Sequence, residues 1–470
     1  AYLLSTQQTA DTVTITLSNR VNNVKPSPTL AITALAAQLR SEGKDIIGLG
    51  AGEPDFNTPD AVNNAAIDAI HNGLTKYTAV DGTPSLKQAV IDKFSRENGV
   101  DYKMDEVMVS TGGKQVFYNL CQAILNSGDE VIIPAPYWVS YPDIVKLADA
   151  TPVVVSAGIE QQFKITPQQL ESAITPNTKL FVHNTPSNPT SVMYSHDELV
   201  ALGEVLERNP HVVVATDDIY EHILLGDTTF SNLLMATPAL YSRTVMMNGV
   251  SKGYAMTGWR IGYAGGPKKI IAAMKKIQSQ STSNPTSIAQ AAAEEALNGG
   301  LEFTAMMNES FRERNEFVTN ALNKIPGVTA LLSEGAFYSF ANVEEVIKRI
   351  DGIESDNDLT ALLLKEAEVA VVPGSAFGAE GYIRISFATS MDNLEKYKKC
   401  FIESFSIDES ALASNIEYNT IEEWDSIGHM AMIASLEETF DISMDIDDII
   451  EFSSFEKGKE LLKKYDVVVA

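Results

Sequence analysis

Four short stretches place reactive or charged side chains directly after apolar runs. "SKGYAMTGWR" (251–260) carries Lys252 and Arg260 between the runs "TVMMNGV" (244–250) and "IGYAGG" (261–266). "TGGKQVFYNL" (111–120) joins a strand end to a helix start through Gly112, Gly113 and Lys114. "NTPSNPT" (184–190) sets Asn188 before a proline, and "TDDIYEH" (216–222) puts Asp217, Asp218 and Tyr220 after "VVVA". An amine held at a strand end can form a Schiff base. A buried carboxylate needs a partner and can keep a pyridinium nitrogen protonated. A tyrosine and an asparagine can hold a phenolic oxygen. An arginine and the free N–H groups of a helix start can hold a phosphate. Together these groups are the inventory for pyridoxal 5′-phosphate. Singly, each has a plainer reading: a tight glycine turn, a structural Asn-Pro turn, one aspartate as the N-cap of a following helix, a solvated lysine–arginine pair.

The elements that must position these residues are legible as short, mostly β-branched runs. They are "EVMVST" (106–111), "EVIIPAP" (130–136), "TPVVVSA" (151–157), "TKLFVHN" (178–184), "HVVVATDD" (211–218) and the two runs flanking Lys252. Amphipathic helical stretches, such as 86–97, 113–126 and 196–208, separate most of them. Strands buried on both faces and alternating with helices predict an α/β fold with a largely parallel sheet, whose ligands bind at the carboxyl ends of the strands. Residues 300–403 add long helices and the runs "EGAFYSFANV", "VAVVPGS" and "YIRISFA", a smaller α+β portion.

On these motifs the chain resembles the fold-type I pyridoxal-phosphate enzymes, specifically class I aminotransferases of the bacterial aspartate aminotransferase branch. The landmarks run in order over about 21–403: "KPSPT", "GAGEPDF", "TKYT", "GGKQ", "PYWVSYP", "NPT", "DDIYEH", "SKGYAMTGWRIGY", "EGAFY" and "IRISFATS". The resemblance implies a large domain of about 60–300 and a small domain of about 21–59 and 301–403. It implies that Lys252 carries the aldimine and serves as general base, and that Asp217 pairs with the ring nitrogen. Tyr220 and Asn188 would hold the phenolic oxygen, and Trp138 would stack on the ring. Arg260 and the backbone of Gly112, Gly113 and Lys114 would hold the phosphate. Tyr77 would reach the phosphate of a neighbouring subunit's cofactor, which implies a homodimer with shared sites. Arg384 and the Gly52 backbone, helped by Asn188, would bind the substrate α-carboxylate; Trp138 and Lys114 would also face substrate. Lys114, with hydroxyls near Ser27 and Thr29, is associated in this branch with the distal carboxylate of aspartate or glutamate, although a solvated lysine at a helix start fits the residue as well. Related enzymes accept aromatic or prephenate-type substrates. The implied reaction is ping-pong transfer of an amino group from an amino acid to a 2-oxo acid; a lyase or decarboxylase on the same scaffold is the weaker alternative. The chain departs from the family's "NPTG" in carrying Ser191. Glycine there permits a tight backbone path, so serine is expected to alter that turn.

Residues 404–470 form a second charge regime, with 16 acidic and 4 basic residues against a net −15 for the other 403. Within it, "NTIEEWDSIGHMAMIASLEETFDISMDIDDIIEFSSFEKGKELLKKY" (419–465) is similar to an acyl or peptidyl carrier protein, a small all-α helical bundle. That likeness implies 4′-phosphopantetheine on Ser426, a phosphopantetheinyl transferase as partner and an assembly-line role in which a tethered or pathway-specific carbonyl is aminated. Ser426 also reads as a helix N-cap or first-turn serine. Residues 1–20, rich in Thr, Ser and Gln, read as an N-terminal arm or an appended remnant outside the fold. The net charge of −27 argues against nucleic acid and anionic membrane as partners. No apolar run is long enough to span a bilayer, and no signal peptide or metal site is evident. Cys121 and Cys400 read as buried free thiols, so a cytoplasmic location is expected.

Overall fold

A computed structural model of the chain describes residues 15–24, 28–41, 46–350, 352–366, 369–389, 426–440, 442, 444–445, 448–449, 452–465 and 467. The strands are β1 (Ile47–Gly48), β2 (Val107–Ser110), β3 (Glu130–Ala135), β4 (Thr151–Ser156), β5 (Thr178–Asn184), β6 (Val213–Asp217), β7 (Thr244–Gly249), β8 (Gly262–Gly265), β9 (Thr329–Ala330), β10 (Tyr338–Asn342), β11 (Val369–Ala370), β12 (Val372–Pro373) and β13 (Tyr382–Ser386). The seven runs expected as core strands form one sheet in the order β2-β8-β7-β6-β5-β3-β4. Pairing is parallel from β7 through β6, β5 and β3 to β4, while β8 runs antiparallel to both its neighbours. Every residue of β2, β7 and β8 is buried, as expected of strands covered on both faces. β4 departs from that reading: it is the sheet's edge, and Val154 is 44% exposed. Val153 and Val155 still pack against the core, so its apolar run reflects one covered face together with β-propensity.

Local chemistry sets the helices between the strands. Thr83 accepts a hydrogen bond from the Leu86 N–H, Pro84 fills the first position of the helix Pro84–Asn98, and Gly99 ends it in the left-handed region. Ser195 and Glu198 make a capping box for His196–Arg208.

The second sheet, β12-β13-β10-β9, is antiparallel and seats Arg384 opposite Phe340 and Val372. "VAVVPGS" is not one strand: β11 pairs with β1, and β12 with β13. The N-cap reading of the aspartates also fails. No helix starts between Asp217 and Leu233, and Asn232 caps Leu233–Ala236 instead. Asp218 is fully buried and accepts from Thr216 and Asn232, at 3.0 and 2.8 Å; burial, then Glu221, pushes its carboxyl far above the usual range.

In the C-terminal region the helices Ser426–Phe440 and Phe455–Leu462 contribute to a hydrophobic cluster drawn from residues 432–467 alone, with Met432, Ile433, Leu436, Phe452 and Leu462 at its centre. Cys121 is a buried free thiol. Cys400, Ser27, residues 1–14 and residues 390–425 lie outside the described residues.

Candidate active site

The carboxyl ends of β2, β3, β5, β6 and β7 lead into one pocket of about 360 Å³. Ten of the residues expected at the site line it: Gly52, Gly113, Lys114, Trp138, Asn188, Asp217, Tyr220, Lys252, Arg260 and Arg384. Gly112 does not line it but lies against the Arg260 guanidinium, which does. Tyr77 is 93% exposed and does not line this chain's own pocket. No side-chain placement is described for Thr29.

Lys252 follows the end of β7 and is half-buried, its Nζ donating to the Gly52 carbonyl. Burial pulls its pKa down to about 8; Glu53 opposes this, and Arg384 and Arg260 reinforce it. Asp217 ends β6 and accepts from the Tyr141 hydroxyl at 2.5 Å. Burial lifts the carboxyl to about 6 against the lowering pull of Tyr141, the Ile219 N–H and Lys252. Sequence reasoning assigned this carboxylate to the ring nitrogen and missed its protein partner, Tyr141. Tyr141 was visible only as the second tyrosine of "PYWVSYP", three residues after Trp138.

A chain of amides joins Asp217 to Arg384. Asn184 donates to the Asp217 carbonyl at 2.7 Å and accepts from the Asn188 N–H at 2.8 Å; Asn188 in turn accepts from Arg384 at 2.9 Å. Arg384 is 3% exposed. A second N–H goes to the Gly50 carbonyl at 2.7 Å, its Nε–H has no partner, and its guanidinium lies 4.4 Å from the Tyr338 ring centroid. Tyr338, which sequence reasoning also missed, shares a 2.7 Å hydrogen bond between its hydroxyl and that of Tyr220.

At the other end, Gly112 takes φ +83 before the helix Gly113–Ile124. A Cβ there would stand 2.4 Å from Arg260 Nη2, so only glycine lets the guanidinium reach the helix start. Arg260, itself at φ +58, donates to the Thr257 carbonyl at 2.8 Å. Lys114 Nζ lies 5.2 Å from the Trp138 ring centroid.

Four cations line the pocket against two carboxylates, Glu53 and Asp217, in a chain of net charge −27. The side-chain hydrogen bonds of Lys252, Arg260 and Arg384 run to carbonyl and amide oxygens, and none of the four cations makes a salt bridge among the described residues. A buried guanidinium without a counter-charge is costly, so the pocket is built for a polyanionic occupant. A helix start with free N–H groups and a planar guanidinium are both suited to oxyanions.

Ser191 is buried and holds φ +58. Serine here takes the left-handed conformation that glycine adopts freely, at a strain of roughly 1 kcal/mol.

An α/β sheet with a lysine, an aspartate and an anion-binding helix start at its strand ends defines a fold-type I pyridoxal-phosphate enzyme. The chain belongs to the class I and II aminotransferases, whose family model matches residues 44–398. It is 61% identical over 388 residues to the aspartate/prephenate aminotransferase of Nitrosomonas europaea, covering 82% of this chain and 98% of that one. It is 54% identical over 384 residues to that of Cereibacter sphaeroides, covering 81% and 96%. Among solved structures, an aspartate aminotransferase from Rhizobium meliloti superposes with a TM-score of 0.78 at 49% identity, covering 81% of this chain and 96% of that one. The aspartate aminotransferase of Thermus thermophilus with maleate gives 0.76 at 42% identity, covering 82% and 98%.

Proposed function

We propose that the enzyme moves the amino group of a dicarboxylic amino acid, aspartate or glutamate, to a 2-oxo acid, with prephenate among the acceptors. The observation that carries this is Arg384, a buried guanidinium with an unpartnered Nε–H and no acidic partner among the described residues, in one pocket with Lys252 and Lys114. It suits the α-carboxylate, with Gly52 and Asn188 beside it, and Lys114 suits the distal carboxylate. The relatives' names support this choice of substrates.

The cofactor's phosphate would be held by Arg260 and the backbone of Gly112, Gly113 and Lys114, its ring hydroxyl by Tyr220 and Asn188, and its ring face by Trp138. Tyr77 would serve a second copy's phosphate in a homodimer. When bound, pyridoxal phosphate supplies the carbonyl that receives the amino group and a ring that withdraws electrons from the substrate Cα. Asp217 holds positive charge at the ring nitrogen, and the Tyr141 hydroxyl favours its ionised form. Lys252 takes the proton from the donor Cα. Its pKa, pulled down to about 8, makes the neutral amine far more accessible at pH 7 than in an ordinary lysine. An ordinary lysine would be neutral in roughly one molecule in 2,500. Borohydride treatment of the holoenzyme should fix the cofactor on Lys252, as read by peptide mass, and Lys252→Ala should lose transamination by orders of magnitude. An adduct on any other lysine overturns the assignment.

A second reading is that residues 404–470 are a separate carrier unit with phosphopantetheine on Ser426, serving assembly-line partners. The self-contained cluster of residues 432–467 supports it. Among the described residues no helix is long and apolar enough to cross a membrane. A cytoplasmic location is part of the same proposal.

A further inference from the structure

We propose that Ser191 is a positioning residue for the substrate carboxylate site: its hydroxyl fixes the backbone of Tyr338, and Tyr338 in turn fixes Tyr220 and Arg384. This rests on the reading of Arg384 as the carboxylate ligand.

Ser191 belongs to the loop after β5 and Tyr338 opens β10, so their contact ties a loop of one sheet to a strand of the other. Ser191 Oγ accepts from the Tyr338 N–H at 3.1 Å, while the Ser333 hydroxyl donates to the Tyr338 carbonyl at 2.6 Å. Both main-chain groups of Tyr338 are therefore held by serine hydroxyls. The Ser191 carbonyl also accepts from the N–H groups of Glu334 and Gly335, each at 3.0 Å. Space along this seam is tight, since a Cβ on Gly335 would stand 2.6 Å from Pro186. Tyr338 is fully buried and makes three contacts that matter to the site. Its hydroxyl pairs with Tyr220, its ring lies under the Arg384 guanidinium, and a Cβ on Gly52 would meet its hydroxyl at 3.0 Å. A left-handed backbone favours glycine, so the serine hydroxyl has to contribute something a glycine cannot. Its observed partner is the Tyr338 N–H.

The test compares Ser191→Ala, Ser191→Gly and Arg384→Lys as holoenzymes, titrated with maleate, a dicarboxylate without an amino group, and melted thermally. Removing the acceptor should weaken maleate roughly fivefold in both Ser191 variants. Their melting temperatures should diverge, with Ser191→Gly higher because its backbone strain is relieved. Affinity then follows the hydroxyl, not stability. If Ser191→Gly binds maleate as tightly as the parent while Ser191→Ala is both weaker and less stable, the residue is only structural and the inference fails. If Arg384→Lys weakens maleate but neither Ser191 variant does, the inference also fails, with the Arg384 reading intact. If Arg384→Lys leaves maleate binding unchanged, it is the Arg384 reading that fails.

Discussion

Replacing Arg384 with lysine keeps a buried positive charge and removes a planar fork. A guanidinium has five N–H donors. Asn188 and Gly50 each take one, at 2.9 and 2.7 Å, which leaves three, including the unpartnered Nε–H. A carboxylate can use two of these in parallel. Lysine offers a single nitrogen, and the Asn188 and Gly50 oxygens would compete for it. The substitution therefore costs about one charge-assisted hydrogen bond, roughly 1.5–3 kcal/mol, or about 10- to 150-fold in kcat/KM. Lost stacking on the Tyr338 and Phe377 rings, at 4.4 and 5.0 Å, adds to this without being strictly additive. The assay is steady-state kcat/KM for aspartate, glutamate and an aromatic amino acid, with cofactor content checked by absorbance. Every amino donor carries an α-carboxylate, so the loss should be about equal across donors. A loss confined to aspartate and glutamate would mean that Arg384 binds the distal end, and no loss at all would mean that Arg384 binds neither carboxylate.

Tyr141→Phe removes the donor that opposes burial at Asp217, so the carboxyl should rise above about 6. The acid limb of the pH–rate profile should then move up by about one unit; an unshifted limb would show that Asp217 does not depend on this bond. Lys114→Ala should cost aspartate more than an aromatic donor in kcat/KM, and an even loss would assign Lys114 to the cofactor alone. Although burial opposes it, the hydrogen bond from His222 and the charge of Lys93 hold Glu97 down at about 2. A depressed carboxyl stabilises the fold above its unfolded pKa of about 4.3 and loses that contribution as pH falls toward 2. Glu97→Gln should therefore flatten the acid limb of urea-unfolding stability, and an unchanged slope would count against the network. Coexpression with a broad-specificity phosphopantetheinyl transferase should add one phosphopantetheine per chain at Ser426. Ser426→Ala should abolish it while leaving transamination of free amino acids nearly unchanged. Absence of modification would reduce the tail to a docking module.

The seven sheet strands, the residue types that stand at their ends and the family were all legible in the sequence. Those signals are local: β-branched runs, a Gly-Gly before a helix, a lysine directly after a strand. It also carried the charge break at residue 404. How those residues meet is visible only in the folded chain. Tyr141 reaches Asp217 across 76 residues, Tyr338 meets Tyr220 across 118, and Arg384 reaches the Gly50 carbonyl across 334. It also set β8 antiparallel, made β4 an edge and split "VAVVPGS" between two sheets. Ser191 shows the division most clearly. The sequence marks it as an unusual residue in a turn, while its φ of +58 and its bond to Tyr338, 147 residues away, exist only once the two sheets have closed on each other. Periodicity reports whether a strand is buried. Which strand it pairs with, in which direction, and which side chain meets a buried charge are set by chain closure between segments far apart in sequence, and no local pattern encodes that.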